Sequence, residues 1–529
     1  MAKETKALPI ETRFKLPAPL PSWPSGGGFA KGSIDLGGLE VYQLSTFSKI
    51  WATHEGGPDD LGATFLKPSQ IPDGFFMLGC YCQPNNIPLF GWVLVGKGNG
   101  EDSSDAAGGT LSKPVDYTLI WSSESTKIKE DGHGYIWLPT PPQGYVAVGH
   151  IVTNSPDKPS LDEIRCVRSD LTEQCENETL IWGTNQKNNS SGINIYSSRP
   201  TTRETQALGV CVGTFLAQVD GTSSPSPLAC LKNKDSNRSN MPNLTQIEAL
   251  MQAYSPLIYF HPDESYLPSS VTWFFNNGAL LYKQGDATPT PIDPTGSNLP
   301  QGGSNDGTYW LDLPVDKQAE LKIKRGELQS SVCYLHVKPM LGATFTDIAI
   351  WVFYPFNGPA RLKLQLVSLP LGTIGQHVGD WEHVTLRVSN FTGELCRVYM
   401  SQHSNGRWLD AAELEFEGGN KVVSYASLNG HALYSKAGLV LQGNSTLSIG
   451  IRNDTKKGKL SMDTGATFEV VAAEYLGSIV EPPWLGYLRK WGPTTNNTPK
   501  LFGFLPREVF GEDGPTAPKV KRSWDGDEV

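Results

Sequence analysis

The sequence contains no apolar run long enough to cross a membrane as a helix. Its most apolar stretch, residues 348–354, covers seven residues, whereas a spanning helix needs about twenty. Residues 1–24 carry charges and five prolines in place of a continuous apolar segment, so no secretory signal is predicted. We therefore expect a cytoplasmic protein without a transmembrane segment, and peripheral contact with a membrane stays open.

Basic residues are in the minority. Lys and Arg total 44 against 54 Asp and Glu, which gives a net charge of −10, and no segment concentrates Lys and Arg. Proteins that bind nucleic acid neutralise its phosphates with a basic patch or stripe. A nucleic-acid partner is therefore not expected.

Motifs for nucleophilic catalysis and for cysteine-bound metals are also missing. The eight cysteines show no Cys-x-x-Cys spacing, which argues against a zinc finger and against a disulfide framework. The sequence has neither a Gly-x-Ser-x-Gly elbow nor a Walker phosphate loop. No residue is predicted as a catalytic nucleophile, and an enzyme is not the first expectation.

Glycine and proline are abundant, with 55 and 39 residues. They favour short strands joined by tight turns over long helices, so we predict a mainly β protein. The length of 529 residues exceeds the roughly 250–300 residues at which a single core stops growing. Two or three domains are therefore expected.

The first half of the chain repeats itself. The segment Pro-Asp-Gly-Phe-Phe-Met-Leu-Gly at 72–79 is answered by Pro-Gln-Gly-Tyr-Val-Ala-Val-Gly at 142–149, with a weaker copy at 207–213. The segment Thr-Leu-Ile-Trp at 118–121 recurs at 179–182. One such unit cannot bury its own apolar face, so three units are predicted to pack as a β-prism with pseudo-threefold symmetry.

Composition divides the rest of the chain. Segments rich in Pro, Gly, Ser and charge interrupt the apolar pattern. The predicted divisions are an extended arm at 1–28, a β-prism-like repeat domain at 29–218, a linker at 219–243, a β-sandwich domain at 244–511 and a mobile tail at 512–529.

The segment 375–388, Gly-Gln-His-Val-Gly-Asp-Trp-Glu-His-Val-Thr-Leu-Arg-Val, carries the candidate site. Its alternation from Asp380 onward predicts a strand. Side chains in a strand alternate between faces, so Asp380 and Glu382 share the apolar face of this strand. Two carboxylates that point together toward a core repel each other unless a cation or a proton lies between them.

Three further side chains are candidates for the same site. His377 lies just upstream in a glycine-flanked loop, and Asn357 follows an apolar strand and offers a carbonyl oxygen. If Val388 pairs with Leu395 across a hairpin, His403 lies roughly opposite Asp380. Such a set of oxygens and nitrogen suits Mg²⁺, Ca²⁺, Mn²⁺ or Zn²⁺, and the sequence does not choose between them.

A purely structural interpretation stays open beside the metal site. Asp and His near the start of a strand often satisfy backbone groups of a neighbouring loop, and a His-x-x-Asp-x-Glu spacing arises by chance. The run His-Pro-Asp-Glu at 261–264 is a weaker candidate, because its proline predicts a turn and its acids suit loop caps.

The sequence as a whole resembles the plant members of the vacuolar protein sorting-associated protein 62 family. The resemblance extends over nearly the full length and implies a role connected with intracellular protein sorting. The segments that carry it are 16–24, 254–270, 379–384, 443–446, 449–453 and 472–477.

A more distant resemblance covers residues 250 to about 440. The runs at 347–357 and 377–384 are similar to the core of the necrosis- and ethylene-inducing-peptide-like proteins, secreted β-sandwich cytolysins that bind a divalent cation and plant sphingolipid headgroups. The resemblance implies that His377, Asp380 and Glu382 are metal ligands. Asn357 stands where that family has an Asp, and Gly379 stands where it has a second His.

Three functions are consistent with these observations. The first is a non-catalytic protein, linked to intracellular sorting, that binds membrane lipid headgroups or a sorting partner and carries the divalent-metal site. The second is a membrane-damaging defence protein. The third is a metal-dependent hydrolase with Glu382 or His403 as general base. The oligomeric state is left open.

Overall fold

The structure is a computed structural model and confirms a mainly β protein. Strands account for 41% of it and helices for 9%, so the abundance of glycine and proline is a sound indicator of fold class. The residues that the structure describes are 10, 12–98, 109–184, 192–219, 227–365, 367–403, 405–444, 449–494 and 514–528.

The first region is built from eighteen short strands among the described residues. They are β1 (Ser33–Asp35), β2 (Leu39–Leu44), β3 (Phe47–Ala52), β4 (Ala63–Pro68), β5 (Phe76–Met77), β6 (Tyr81–Pro84), β7 (Val93–Gly98), β8 (Leu111–Ser112), β9 (Asp116–Ser122), β10 (Tyr135–Thr140), β11 (Tyr145–Val146), β12 (Ile151–Thr153), β13 (Cys166–Arg168), β14 (Thr172–Gly183), β15 (Ile193–Pro200), β16 (Gly209–Val210), β17 (Phe215–Val219) and β18 (Ala229–Lys232).

The strand pairing of this region follows the sequence repeat. Three antiparallel sheets have the same plan, with orders β3-β4-β6, β9-β10-β12 and β14-β15-β17. Each repeated Pro/Gly turn leads through a two-residue strand, β5, β11 or β16, into the last strand of one of these sheets. This pairing is consistent with the predicted threefold, prism-like arrangement.

Three tryptophans, one from each of these sheets, meet in the middle of the first region. The ring centroids of Trp51 and Trp121 are 6.0 Å apart, those of Trp51 and Trp182 are 6.0 Å apart, and those of Trp121 and Trp182 are 5.8 Å apart. All three rings are buried. Each repeat therefore contributes one large aromatic ring to a shared core that no single repeat could form.

The second region contains three α-helices and eighteen strands in the described part of the chain. They are α1 (Leu244–Tyr254), β19 (Leu257–Tyr259), α2 (Val271–Asn276), β20 (Leu280–Lys283), β21 (Thr290–Pro291), β22 (Tyr309–Asp312), α3 (Lys317–Arg325), β23 (Cys333–Met340), β24 (Phe345–Asn357), β25 (Arg361–Leu364), β26 (Val367–Pro370), β27 (His377–Ser389), β28 (Leu395–Gln402), β29 (Asn405–Asp410), β30 (Phe416–Glu417), β31 (Lys421–Ala426), β32 (Leu433–Tyr434), β33 (Gly438–Asn444), β34 (Ile449–Thr455), β35 (Ser461–Asp463) and β36 (Phe468–Ala472). None of these helices is long and apolar enough to span a membrane.

A six-stranded sheet with the order β29-β28-β27-β24-β23-β36 forms the centre of the second region. Strands β24 and β27 are thirteen residues each and run antiparallel side by side. One face packs on α1 and on the smaller sheet that contains β19 and β31, and the other face packs on α2 and on Trp484 and Trp491. Both faces of the central strands are therefore buried, as in a sandwich.

Part of the segment predicted as a linker belongs to the first region. Strand β18 lies inside 219–243 and pairs with both β14 and β16. Its apolar run, Ala-Cys-Leu, is short and lies between polar residues, so the sequence pattern did not predict a strand there. Among the residues predicted as an extended arm, Phe14 packs edge-on against Phe90 at 5.1 Å, and Trp23 lies 6.1 Å from the ring of Tyr254.

The prediction of a mobile tail at 512–529 is wrong for its described residues, 514–528. The ammonium of the buried Lys338 donates to the carbonyls of Ser523 (2.7 Å) and Gly526 (3.0 Å). Arg387 donates to Asp527 (2.6 Å). The charges of this segment predicted solvation, but Asp527 and Glu528 contact the buried Arg387 and His383 of the central sheet.

We predict that Glu528→Gln lowers the free energy of unfolding by roughly 3 kcal/mol at pH 7 and has little effect near pH 2. Burial opposes the charge on Glu528, but the charges of His383 and Lys338 and the Thr385 hydroxyl outweigh burial and lower its pKa from 4.5 to about 2. A carboxyl with a lowered folded-state pKa stabilises the fold above its unfolded pKa, and that contribution is lost as the pH falls through about 2.

Urea unfolding of parent and variant across this pH range measures the difference. The exposed Glu248 on α1 provides the matched control, and Glu248→Gln should leave the curve unchanged. Parallel pH curves for the parent and Glu528→Gln would contradict the assignment.

Candidate functional site

The two carboxylates predicted on strand β27 lie on one face of the central sheet. Asp380 pairs with Tyr354 of β24, and Glu382 pairs with Val352. Tyr354, Val352 and the next residues along this face of β27, including Val384, pack in one buried cluster. Both carboxylates are themselves buried, so the sequence alternation predicted their placement correctly.

Asp380 is held by a histidine that the sequence did not indicate. Nδ1 of His431 lies 2.9 Å from Oδ2 of Asp380, and the imidazole stacks on the ring of Tyr354 with a centroid distance of 3.9 Å. Burial raises the pKa of Asp380, but the hydrogen bond with His431, together with the neighbouring His377, outweighs burial, so the pKa is lowered. Asp380 is therefore stabilised as a carboxylate.

The pKa of Glu382 is shifted in the opposite direction. Glu382 accepts a hydrogen bond from the hydroxyl of Ser401. Burial, followed by the negative charge of Asp380 two residues away, raises the pKa of Glu382 well above its usual value. The two neighbouring carboxyl groups therefore have pKa values shifted in opposite directions, lowered for Asp380 and raised for Glu382.

His377 lies at the start of β27 and is partly buried. Its Nδ1 lies 2.7 Å from the carbonyl oxygen of Gly379, so Nδ1 donates and Nε2 is left as the acceptor. Burial lowers the pKa of His377, which favours the neutral imidazole that can bind a metal.

The backbone at Gly379 does not favour a side chain, which explains why the second histidine of the necrosis- and ethylene-inducing-peptide-like proteins is not found here. The φ of Gly379 is 67°, in the region that favours glycine. A Cβ at this position would lie 2.9 Å from the carbonyl oxygen of Trp491 and 3.1 Å from the Cβ of Trp491. A larger side chain at 379 would therefore displace Trp491, which packs on the other face of the sheet.

Asn357 and His403 lie around the same crevice. The amide of Asn357 donates to the carbonyls of Gly358 (3.0 Å) and Gly375 (2.7 Å). Nε2 of His403 lies 2.9 Å from Oδ1 of Asn453. A Cβ on Gly430 would lie 3.7 Å from the His403 ring and 4.0 Å from Oδ1 of Asn357, so the loop that carries His431 faces both residues.

Glu264 is a second site residue whose role the sequence did not reveal. Its side chain is buried, and Oε1 lies 4.0 Å from Nε2 of His431. It also accepts hydrogen bonds from the backbone amides of Ser265, Tyr266 and Asn429. The His-Pro-Asp-Glu run is thus a loop cap, as its proline suggested, but this cap also closes one side of the carboxylate cluster.

Three polar atoms near Asp380 are buried without a hydrogen-bond partner among the described residues. They are Nε2 of His431, the hydroxyl of Tyr354 and the hydroxyl of Ser427. Unpartnered buried polar groups are rare and costly. Three of them beside two carboxylates indicate that a polar species, water or an ion, completes this cluster.

The described residues do not by themselves form a closed metal site. No group of three or more His, Cys, Asp and Glu side chains among them is arranged to hold an ion. Asp380 is engaged by His431, and Glu382 is engaged by Ser401. The predicted ligand set of His377, Asp380, Glu382 and Asn357, with His403 beside it, is brought into one neighbourhood but stays a prediction as a metal site.

An open groove leads away from His377 toward the surface. Its volume is about 450 Å³, and its walls include Asp312, Glu320, Lys324 and the ring of Phe356. The ammonium of Lys324 lies 4.6 Å from the centroid of that ring. Such walls offer hydrogen-bond donors, acceptors and an apolar surface to a polar ligand.

We predict that Asp380 and His431 are energetically coupled. Asp380→Asn and His431→Gln should each cost roughly 2–4 kcal/mol, because each leaves a buried charged or polar partner unmatched. The double variant should cost at least about 1 kcal/mol less than the sum. Urea unfolding in a metal-free buffer measures the three values.

The pair His261 and Asp263, whose aspartate lies at the surface, is the control for this cycle. Their side chains lie 3.7 Å apart, and Asp263 is 80% exposed, so Asp263→Asn and His261→Gln should be additive. Additive costs for the buried pair would show that the contact between Asp380 and His431 does not stabilise the protein.

Three known structures are similar to part of this chain. GNIP1Aa from Chromobacterium piscinae is 17% identical, covers 41% of this chain and 40% of its own, and has a TM-score of 0.30. A structure described as a toxin fold as basis for microbial attack and plant defense is 14% identical and covers 37% of this chain and 69% of its own, with a TM-score of 0.22. A necrosis and ethylene inducing protein from the agent of cocoa's Witches Broom disease is 14% identical, with coverages of 40% and 80% and a TM-score of 0.17.

At this level of similarity no activity is transferred to the chain, which spans less than half of GNIP1Aa. A comparison with curated proteins finds no match. The family comparison is more extensive, because the family described as vacuolar protein sorting-associated protein 62 matches residues 10–500. The chain belongs to the vacuolar protein sorting-associated protein 62 family.

Proposed function

We propose that this protein is a non-catalytic binding protein of intracellular sorting, and that a divalent cation at Asp380 and Glu382 forms its docking point. The observation that supports this proposal best is the pair of buried carboxylates on one face of β27 beside three unpartnered polar atoms. The partner is a membrane lipid headgroup or a sorting protein that presents oxygen atoms to the cation.

The chemistry of the donors fits a hard divalent cation. Such ions take oxygen ligands from carboxylates, carbonyls and water, with imidazole as an additional ligand for Mn²⁺ or Zn²⁺. Asp380 and Glu382 would supply carboxylate oxygens, Asn357 would supply its amide oxygen, and His377 would supply its free Nε2. The cation would also compensate the charge of Asp380, which His431 contacts, and would favour the ionised form of Glu382.

The position of the site supports binding better than catalysis. His403, the alternative general base, has its Nε2 engaged by Asn453. The groove at His377 instead gives a polar ligand access to the edge of the cluster. A headgroup or acidic peptide in this groove would reach the cation without any covalent chemistry.

The test of the cation is calorimetric titration of chelator-treated protein with Mg²⁺, Ca²⁺, Mn²⁺ and Zn²⁺ in turn. We expect one ion per chain for at least one of these metals, and at least about tenfold weaker binding by Asp380→Asn, because the variant loses a charged ligand. Asp263→Asn changes the same residue type at an exposed position and should bind as the parent does. Equal binding by parent and Asp380→Asn would contradict the proposal.

The same variants decide between the three functions. With the preferred ion present, the parent and Asp263→Asn should sediment with vesicles of phosphatidylcholine and phosphatidylserine without releasing an entrapped dye, and Asp380→Asn should stay in solution. Dye release would instead favour the membrane-damaging alternative. Turnover of ester, phosphate or glycoside substrates by the ion-loaded protein would favour a hydrolase.

A further inference from the structure

A second cavity lies between the two regions of the chain, away from the carboxylate cluster. Its volume is about 310 Å³, and its walls come from the first region, from the arm residues Arg13 and Phe14, and from the hairpin that joins β27 and β28. Arg387, which lines it, is seven positions along β27 from Asp380. At about 3.3 Å per residue, the two sites are roughly 23 Å apart along the strand.

One part of the cavity wall is aromatic and apolar. The rings of Phe14, Phe90, Trp92, Phe215 and Phe345 line it. Phe14 and Phe90 contact each other edge-on at 5.1 Å, and Trp92 lies 5.3 Å from Phe345, which belongs to the second region. The cavity therefore offers a rigid apolar surface to which both regions contribute.

A second part of the wall is a set of ion pairs that joins the two regions. Arg397 lies 3.0 Å from Glu178 and 3.0 Å from Asp410, while Asp527 lies 3.1 Å from Arg203 and 2.6 Å from Arg387. Each of these carboxylates already has a guanidinium partner. Their negative charges are therefore already compensated, and no cationic ligand is needed beside them.

Three donor groups on the wall are incompletely matched. The guanidinium of Arg13 donates to the neutral hydroxyl of Ser45 (2.8 Å), and no described carboxylate lies within 4 Å of it. Gln43 accepts a hydrogen bond from Ser389 through Oε1 (2.5 Å), which leaves its buried Nε2 without an acceptor. Nε of Arg203 is also buried without an acceptor in the described part of the chain, although the terminal nitrogens of the same guanidinium pair with Asp527 and Glu176.

Glu394 is the one carboxyl on the wall that counts against an anionic ligand. It has no ion-pair partner within 4 Å among the described residues. Burial raises its pKa, and the charge of Arg13 opposes this only in part. The buried carboxyl is therefore more readily protonated than a free one, and its repulsion of an anion is reduced.

We propose that this cavity binds a small amphipathic anion, whose apolar body contacts the aromatic rings and whose carboxylate or sulfonate accepts hydrogen bonds from Arg13, Gln43 and Arg203. An anionic head would give an acceptor to the buried donors of Gln43 and Arg203 and an opposite charge to the exposed Arg13. The volume is at the lower end of the range for ligand sites, about 300–1,000 Å³. The ligand is therefore a molecule of the size of a two-ring or three-ring aromatic acid, or of a medium-chain fatty acid.

Two fluorescent probes separate the anionic head from the apolar body. The probe 1-anilinonaphthalene-8-sulfonate carries a sulfonate, and N-phenyl-1-naphthylamine has the same rings without it. Titration of the full chain in EDTA should give one saturable site for the sulfonate probe, at least about tenfold tighter than for the neutral probe. EDTA removes divalent ions, so the result does not depend on the site at Asp380.

The variant Gln43→Glu keeps the size of the side chain and the acceptor for Ser389 but replaces the unmatched donor by a carboxylate oxygen. It should weaken the sulfonate probe by about tenfold or more and leave the neutral probe within about twofold. Gln252→Glu makes the same change at an exposed position of α1 and should change neither. Arg13→Met, on the surface of the arm, should weaken only the sulfonate probe and does not disturb the ion pairs.

Near-ultraviolet circular dichroism shows whether each variant retains its fold. Equal affinities for the two probes, an absence of saturable binding, or sulfonate affinities of folded Gln43→Glu and Arg13→Met that match the parent would each overturn the proposal.

Discussion

The arrangement of this protein's candidate site depends on one constraint, the burial of both faces of strand β27. Because side chains alternate along a strand, Asp380 and Glu382 must point to the same side, and that side is the interior of the second region. Two buried carboxyl groups two residues apart cannot both be charged without compensation. In the structure, His431 contacts Asp380. Glu382 accepts a hydrogen bond from the Ser401 hydroxyl, and its pKa is raised. The loops that carry His431 and Glu264 lie beside this pair, where His431 contacts Asp380 and Glu264 lies 4.0 Å from His431.

The sequence was sufficient for the parts of this site that follow from local periodicity. The alternation after Asp380 predicted the shared face, and the hairpin register with Val388 opposite Leu395 is the observed one. It was not sufficient for His431 and Glu264. His431 is separated from Asp380 by 51 residues, and a single histidine in an Asn-Gly-His turn has no periodic neighbour that would indicate its direction. Only the packing of the sheet brings the two together.

The same distinction applies to the fold. The Pro/Gly turns and the Leu-Ile-Trp runs repeat at intervals that the strand pairing reproduces, so the threefold region could be predicted from a local pattern. The C-terminal residues could not, because their charges suggest a solvated segment. Asp527 and Glu528 instead meet Arg387 and His383 on the central sheet. Composition describes what a segment carries and does not show which distant partner neutralises it.

Strand β27 connects the two proposed sites, with the carboxylate pair near its start and Arg387 near its end beside the cavity between the regions. At the carboxylate pair, we propose that a cation completes the cluster of Asp380 and Glu382. The most direct measurement is anomalous diffraction from crystals soaked in Mn²⁺. The account predicts one peak about 2.0–2.6 Å from carboxylate oxygens of both residues, with Ser401 and His431 no longer bonded to them. A map without a peak, in which Asp380 stays on His431 and Glu382 stays on Ser401, would contradict it.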